Sequence, residues 1–319
     1  MSAQVIDVFN GDADGICALH QLRLADPAES ELVTGPKRDI ALLDRVAAGA
    51  GDRVTVLDVA LSKNRKALDR LLAAGAFVRY FDHHQPGEIP VHPNLAAHID
   101  IDANVCTSLL VDDFLGGSRR VWAVTAAFGD NLADAARQAA TPLGLTADQL
   151  AQLQSLGECL NYNGYGETID DLFFHPAELY RVLRPFEDPF AFIAESAAYR
   201  TLKAGYEDDM ARAFGVPAAE TRPGGRIFLL PAGKWARRVS GVFGNALAVA
   251  SPSQAHAVLT AGAGGYVVSV RAPLTTKAGA DELCSRFEGG GGRTAAAGIN
   301  HLPDSELDRF VAAFFESFP

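Results

Sequence analysis

Tyr80-Phe81-Asp82-His83-His84-Gln85 is the stretch that sets the fold of this chain. An aromatic, apolar run ends abruptly in one carboxylate and two adjacent imidazoles. Such a run reads as a buried strand delivering metal-type ligands to a sheet edge, and an open α/β sheet presents its chemistry at strand tips. Imidazole beside carboxylate suits borderline divalent ions such as manganese, zinc or iron(II). A surface histidine pair, or one histidine bonded to the backbone, would spell the same six letters, so the flanking sequence has to decide.

Working outward, Val5-Ile6-Asp7-Val8-Phe9 and Val54-Thr55-Val56-Leu57-Asp58 are strand candidates, and Phe77 to Phe81 is the third. Helices are expected from Gly15 to Ala25 and from an N-cap at Ser62 through Ala74, closed by Gly75. This βαβ alternation implies a parallel, doubly wound sheet. Asn104 or Thr107 is expected to cap a helix running through Phe114. Val121 to Phe128 is apolar on all sides, hence a buried helix or strand, and it ends at Gly129-Asp130-Asn131. Residues 146–215 read as helices, the last of them long and amphipathic from Glu187 to Phe214. The Pro/Gly-rich residues 216–225 are the best linker in the chain. Beyond it, strands are expected at Arg226–Leu230, Ala255–Thr260 and Tyr266–Arg271, and helices at Val239–Ala250, Ala280–Phe287 and Asp304–Phe315. The expected fold class is therefore α/β. A doubly wound parallel-sheet domain over 1–215 and a smaller α/β domain over 226–319 are expected, with a cleft between them.

The chain has 319 residues, 48% hydrophobic and 21% charged, an ordinary globular composition long enough for two domains. Cys17, Cys106, Cys159 and Cys284 show no Cys-x-x-Cys spacing, which argues against a zinc ribbon or a disulfide framework and fits a reducing cytoplasm. The first residues hold no basic segment before an apolar run, and no run reaches the ~18 apolar residues of a membrane span. A net charge of -11 is no footprint for long duplex DNA. Single nucleotides or short oligonucleotides remain open, because a metal ion and a few arginines can hold one or two phosphates.

Four separate segments place carboxylates just after an apolar stretch: Asn10-Gly11-Asp12-Ala13-Asp14-Gly15, Asp58, Asp82-His83-His84 and Asp130. On a parallel sheet these converge on one rim. Each alone is more often a turn or a cap than a ligand; strand ends in order, each bearing a ligand type, are hard to obtain by accident. Several carboxylates with one or two imidazoles suit two divalent ions about 3.5–4 Å apart. Oxygen-rich ligation with a histidine fits manganese better than structural zinc.

Taken with the glycine-rich Gly289–Gly298 stretch, Asp12-x-Asp14-Gly15, Asp58, Asp82-His83-His84 and Asp130 resemble the DHH phosphoesterase superfamily. More narrowly, they resemble members with the DHH-associated C-terminal domain, such as nanoRNases, nucleotide phosphodiesterases and single-strand exonucleases. The resemblance implies that Asp12 and Asp58 hold one Mn2+, with Asp14, Asp58, His83 and Asp130 holding a second; Mg2+ or Co2+ are alternatives. It implies that His84 faces the substrate phosphate while Asp82 orients a histidine, and that a metal-activated water cleaves the P–O bond. Relatives place a histidine where this chain has Asn10, a weaker donor. Gly290, Gly291, Gly292 and Arg293 suit an anion, since glycine backbone N–H groups approach closely and arginine offers a charged fork. Arg293 stands where relatives carry histidine, and Arg271 matches a strand arginine that contacts phosphate. The implied activity is hydrolysis of phosphodiester or phosphoanhydride bonds in nucleotides or short oligonucleotides, with a homodimer by family habit. Alternatives are a polyphosphate or cyclic-dinucleotide hydrolase, or a non-catalytic nucleotide-binding protein on a weakened scaffold.

Overall fold

The computed structural model describes residues 3–319. Period-two alternation builds the first sheet. Its strands are β1 (Val5–Asn10), β2 (Glu31–Gly35), β3 (Arg53–Leu57), β4 (Phe77–Asp82) and β5 (Leu95–Ile99). All neighbours are parallel, in the order β2-β1-β3-β4-β5. Ile6, Val8, Val54, Val56, Val78 and Tyr80 fall on one face and cluster with Leu61, Leu68, Leu71 and Leu72 of α2 (Leu61–Ala73). Each such leucine contributes roughly 1.5–3 kcal/mol by leaving water. Phe81 takes the opposite face, edge-on to Phe114 of α3 (Thr107–Phe114). Strand order reverses between β1 and β3, the switch point at which open α/β sheets bind ligands.

The other helices of this unit are α1 (Ala13–Ala25), α4 (Arg120–Gly129), α5 (Ala133–Ala140), α6 (Ala147–Gly164), α7 (Pro176–Leu183) and α8 (Pro189–Glu195). Next comes α9 (Ala197–Phe214). The chain divides into two compact units, one ending at Ala204 and one from Gly205 to Pro319. That division falls inside α9, upstream of residues 216–225, which themselves contain a short strand, β6 (Glu220–Arg222).

In the second unit follow β7 (Gly225–Leu230), β8 (Ala255–Gly262), β9 (Gly265–Arg271), β10 (Gly290–Arg293) and β11 (Ala296–Pro303). Their order is β10-β11-β9-β8-β7-β6, and only β7 and β8 are parallel. Helices α10 (Lys234–Ala250), α11 (Ala280–Cys284) and α12 (Leu307–Ser317) complete it, over a core that includes Leu259, Val270, Phe310 and Phe314.

Several local expectations are corrected. Ala60, not Ser62, occupies the N-cap of α2, and Ser62 lies inside the helix. Cys106 precedes α3, so neither Asn104 nor Thr107 caps it through a side chain. The span from Glu187 to Phe214 is two helices broken at Ser196, which takes an extended conformation. The glycine run forms a strand of a hairpin, and β2 and β5 were not expected. All four cysteines are buried and free. Among the described residues no helix is long and apolar enough to cross a membrane.

Candidate metal centre

The turn after β1 is built by what its residues can cap. Asp12 is the N-cap of α1, and its Oδ1 accepts from the backbone N–H of Asp14 (3.0 Å) and Gly15 (3.1 Å). Gly11 is required here, because a Cβ would stand 2.1 Å from the Gly35 carbonyl oxygen. Asp14 reaches across to α3. Its two carboxylate oxygens accept from Thr107 N–H and Ser108 N–H, each at 2.7 Å. The missing side-chain cap of α3 is thus supplied from α1, with an anion placed at the positive end of the helix.

Asp58 leaves β3 with φ of +58°, a left-handed conformation that aspartate tolerates better than most residues. Thr107 donates its hydroxyl to Asp58 Oδ1 at 3.4 Å. At the end of β4, Asp82 is fully buried and accepts from His84 Nδ1–H (2.7 Å) and from the His83 backbone N–H (2.9 Å). That bond leaves His84 Nε2 as the outer atom of a side chain that is 40% exposed.

His83 is held from the other side. Its Nδ1–H donates to the Val105 carbonyl at 2.9 Å, which fixes the tautomer with Nε2 turned to the carboxylates. Nε2 lies 3.3 Å from Asp58, 3.9 Å from Asp130 and 4.0 Å from Asp14. Asp130 follows α4 as its C-cap. The structure therefore brings Asn10, Asp12, Asp14, Asp58, Asp82, His83, His84 and Asp130 to one rim.

A further residue there was missed by sequence reasoning. Lys37, just beyond β2, puts its Nζ 2.5 Å from Asp12 Oδ2 and 3.4 Å from both Asp130 Oδ1 and Asn161 Oδ1. Its ammonium also stands 5.6 Å over the Tyr165 ring. The available signal was Gly35-Pro36-Lys37 closing a weakly patterned run, the same strand-end position as the carboxylates.

Electrostatics divide the cluster. Burial alone would raise the Asp12 carboxyl, but Lys37 and the capped N–H groups outweigh it and hold its pKa below the ordinary value. At Asp58 burial, then Asp12 and Asp14, push the pKa well up and outweigh the lowering effect of His83 and His84. Asp14 is also raised, first by burial and then by Asp130 and Asp12. Burial disfavours a charged His83, yet Asp58, Asp14 and Asp130 raise its pKa to about 10. Burial likewise opposes the Lys37 ammonium, and Asp12, Tyr165, Asp130 and Asp58 hold it protonated well above its usual range.

The donor set fits a divalent ion. One donor atom each from Asp58, His83 and His84 lies within 4.8 Å of the others, and so does one each from Asp14, His83 and Asp130. Asn10 is buried, and its Oδ1 has no hydrogen-bond partner among the described residues. A buried amide oxygen left unmatched in this way is the acceptor a cation would use.

Arg271, Gly290, Gly291, Gly292 and Arg293 belong to the second unit. Arg271 on β9 and Arg293 on β10 both register with Ala296 of β11, which puts them in one cross-strand row with a small residue between. The Arg271 guanidinium donates to Asn245 Oδ1 (2.6 Å), Ser269 Oγ (2.9 Å) and the carbonyls of Val270 and Gly241. Arg293 is exposed. Two of the glycines answer to packing in the hairpin: a Cβ would meet the Cys284 carbonyl oxygen at 1.9 Å from Gly290, and Ala297 Cα at 2.5 Å from Gly292. Gly291 alone faces open space.

No family model and no curated protein matches this sequence. Solved structures do. Exonuclease RecJ bound to manganese is 16% identical, with a TM-score of 0.60 over 99% of this chain and 91% of that one. RecJ from Thermus thermophilus in complex with Mn2+ is 19% identical at TM-score 0.60, covering 99% of this chain and 52% of that longer one. The pGpG-specific phosphodiesterase PggH from Vibrio cholerae is 15% identical at TM-score 0.56, covering 99% of both chains. At these identities the likeness establishes the fold. It is the fold that the Asp-His-His and glycine motifs led us to expect.

Proposed function

We propose that the chain is a metal-dependent phosphoesterase of the DHH superfamily, hydrolysing phosphodiester or phosphoanhydride bonds of nucleotides or short oligonucleotides. One observation carries most of this reading. His83 commits Nδ1–H to a backbone carbonyl and aims Nε2 at three carboxylates, the arrangement of an imidazole prepared as a ligand. Asp14, Asp58, His83 and Asp130 would hold the ion, and oxygen-rich ligation with one imidazole favours Mn2+. A divalent ion bound there supplies an acidified water and neutralises phosphoryl charge.

The chain's own groups do the rest. Burial disfavours a charged His84, but its bond to Asp82 and the Asp58 charge raise its pKa above the ordinary value. That shift favours the imidazolium form, whose outward Nε2–H is placed to serve a phosphate oxygen or the departing alkoxide. Asp82 keeps that ring oriented through Nδ1. Asp14, tied to two N–H groups of α3, holds its carboxylate still. Arg271 and Arg293 are the proposed phosphate contacts of the second unit. The net charge of -11 disfavours long polyanions and so favours short substrates.

The test is hydrolysis of a generic phosphodiester, a dinucleotide and a 5-mer RNA by the purified protein with Mn2+, Co2+ or Mg2+. Turnover that disappears in Asp82→Ala and His83→Ala is the expected result. Nucleotide binding without turnover under all three ions would replace the enzyme with a nucleotide-binding protein.

A further inference from the structure

The motifs lead to two ions, while a lysine ammonium stands against the carboxylates at one end of the cluster. Building on the phosphoesterase reading above, we propose that the Lys37 ammonium replaces one of the two divalent ions. The chain then works as a one-metal centre with a built-in cation.

The geometry is specific about which ion is replaced. Nζ makes its shortest contact, 2.5 Å, with Asp12, and its next with Asp130 at 3.4 Å. Asp12 is the carboxylate that the resemblance assigns to the first ion alone. At the same end stands Asn10, a neutral amide where relatives carry an imidazole. Its Nδ2–H donates to the Lys37 carbonyl at 3.5 Å, so the weakened ligand and the new cation are joined. The backbone beneath is pinned, because Lys37 N–H donates to the Gly164 carbonyl at 2.9 Å. Asn161 and the Tyr165 face complete an ammonium site with an acceptor and a ring.

An ion here would need lone pairs of Asp12 that the ammonium already uses, and two cations at contact distance repel. The other end differs: His83 turns an imidazole atom inward toward Asp14, Asp58 and Asp130. An ammonium carries half the charge of a divalent ion and cannot acidify a water as a Lewis acid. It can present N–H donors to a phosphoryl oxygen. Lys37 would therefore serve substrate charge, leaving the activated water to the ion held by His83.

Metal counting tests this without activity. The full chain, stripped with chelator and titrated with MnCl2 in a calorimeter, is expected to bind one ion. Its manganese resonance should be the six-line spectrum of an isolated ion. Lys37→Met is expected to take up a second ion, using Asp12, Asp58 and the unmatched Asn10 Oδ1, and to show an exchange-coupled spectrum. Lys37→Arg should stay at one. Two ions in the unaltered chain, or a folded Lys37→Met that still holds one, would overturn the role of Lys37 and leave the metal centre standing. No bound ion at all would remove the metal centre and this inference together. Should Lys37→Met fail to fold, the unaltered chain and Lys37→Arg still decide by their counts.

Discussion

Asp58 concentrates the tension of the centre in one residue. It combines a left-handed backbone with full burial and two neighbouring carboxylates that raise its pKa. Residues of this kind lower stability in exchange for function. Asp58→Asn keeps the shape, removes the ionisable group and keeps an acceptor for Thr107. In chelator-treated protein it should raise stability by about 1 kcal/mol. Metal affinity should fall by more than the ~10–100-fold cost of losing a ligand's hydrogen-bond partner. A chemical melt and a calorimetric titration read the two effects; a variant that melts earlier and binds as before would contradict both. A second buried group titrates outside the proposed ligand set. His20 donates Nε2–H to the Phe186 carbonyl at 2.8 Å, lies edge-on to Trp122, and burial depresses its pKa from 6.5 to about 4. The unfolded chain therefore binds that proton more readily. The stability from neutral His20 is full above pH 6.5 and is lost as pH falls toward 4, on the order of 3 kcal/mol in total. The melting temperature should fall over that window, and His20→Gln should flatten the slope; an unchanged slope would assign the acid sensitivity elsewhere.

At the scale of elements, close approach of helices puts the carboxylates in place. Gly157 of α6 touches α4 so tightly that a Cβ would sit 2.1 Å from the Thr125 carbonyl oxygen, and Gly129 faces Gly157 in turn. Since α4 ends in Asp130 and α6 carries Asn161, this crossing sets the far wall of the centre. Gly157→Ala should cost about 1–3 kcal/mol through overpacking, and should also weaken metal binding as α4 shifts. Loss of stability with unchanged affinity would show that the crossing does not position Asp130. The elements also show what the sequence could and could not tell. β1, β3 and β4 were legible because buried apolar runs ended in acids. β2 and β5 were not, because neither is a continuous buried apolar run. Missing β2 meant missing Lys37, whose side chain matters only once that strand is paired beside β1. The cap of α3 was illegible for another reason: its acceptor, Asp14, is 93 residues from Thr107 in sequence. The Asp-His-His segment, in contrast, carries its ligand atoms and their local partner within three residues.

For the molecule as a whole, every proposed ligand lies in the unit that ends at Ala204, yet the ligands come from strand ends, the first turn of α1 and the end of α4. Without a cation these acids repel; burial and then the neighbouring carboxylates raise the pKa of Asp58 and Asp14, and the same carboxylates raise that of His83. Metal binding should therefore release protons, and affinity should rise with pH. Binding only to the folded state must also stabilise it, by about 2.7 kcal/mol at a hundredfold excess over the dissociation constant. For a domain of this size that corresponds to roughly 5–10 °C in melting temperature. Mn2+ should produce that shift in the unaltered chain, and His83→Ala should abolish it, since this imidazole faces Asp14, Asp58 and Asp130 together. Calcium, which prefers an all-oxygen shell, should shift the melt less. Equal shifts from calcium and manganese, or a shift that survives in His83→Ala, would mean that cations merely screen an acidic rim, and the strand ends would then carry no metal centre.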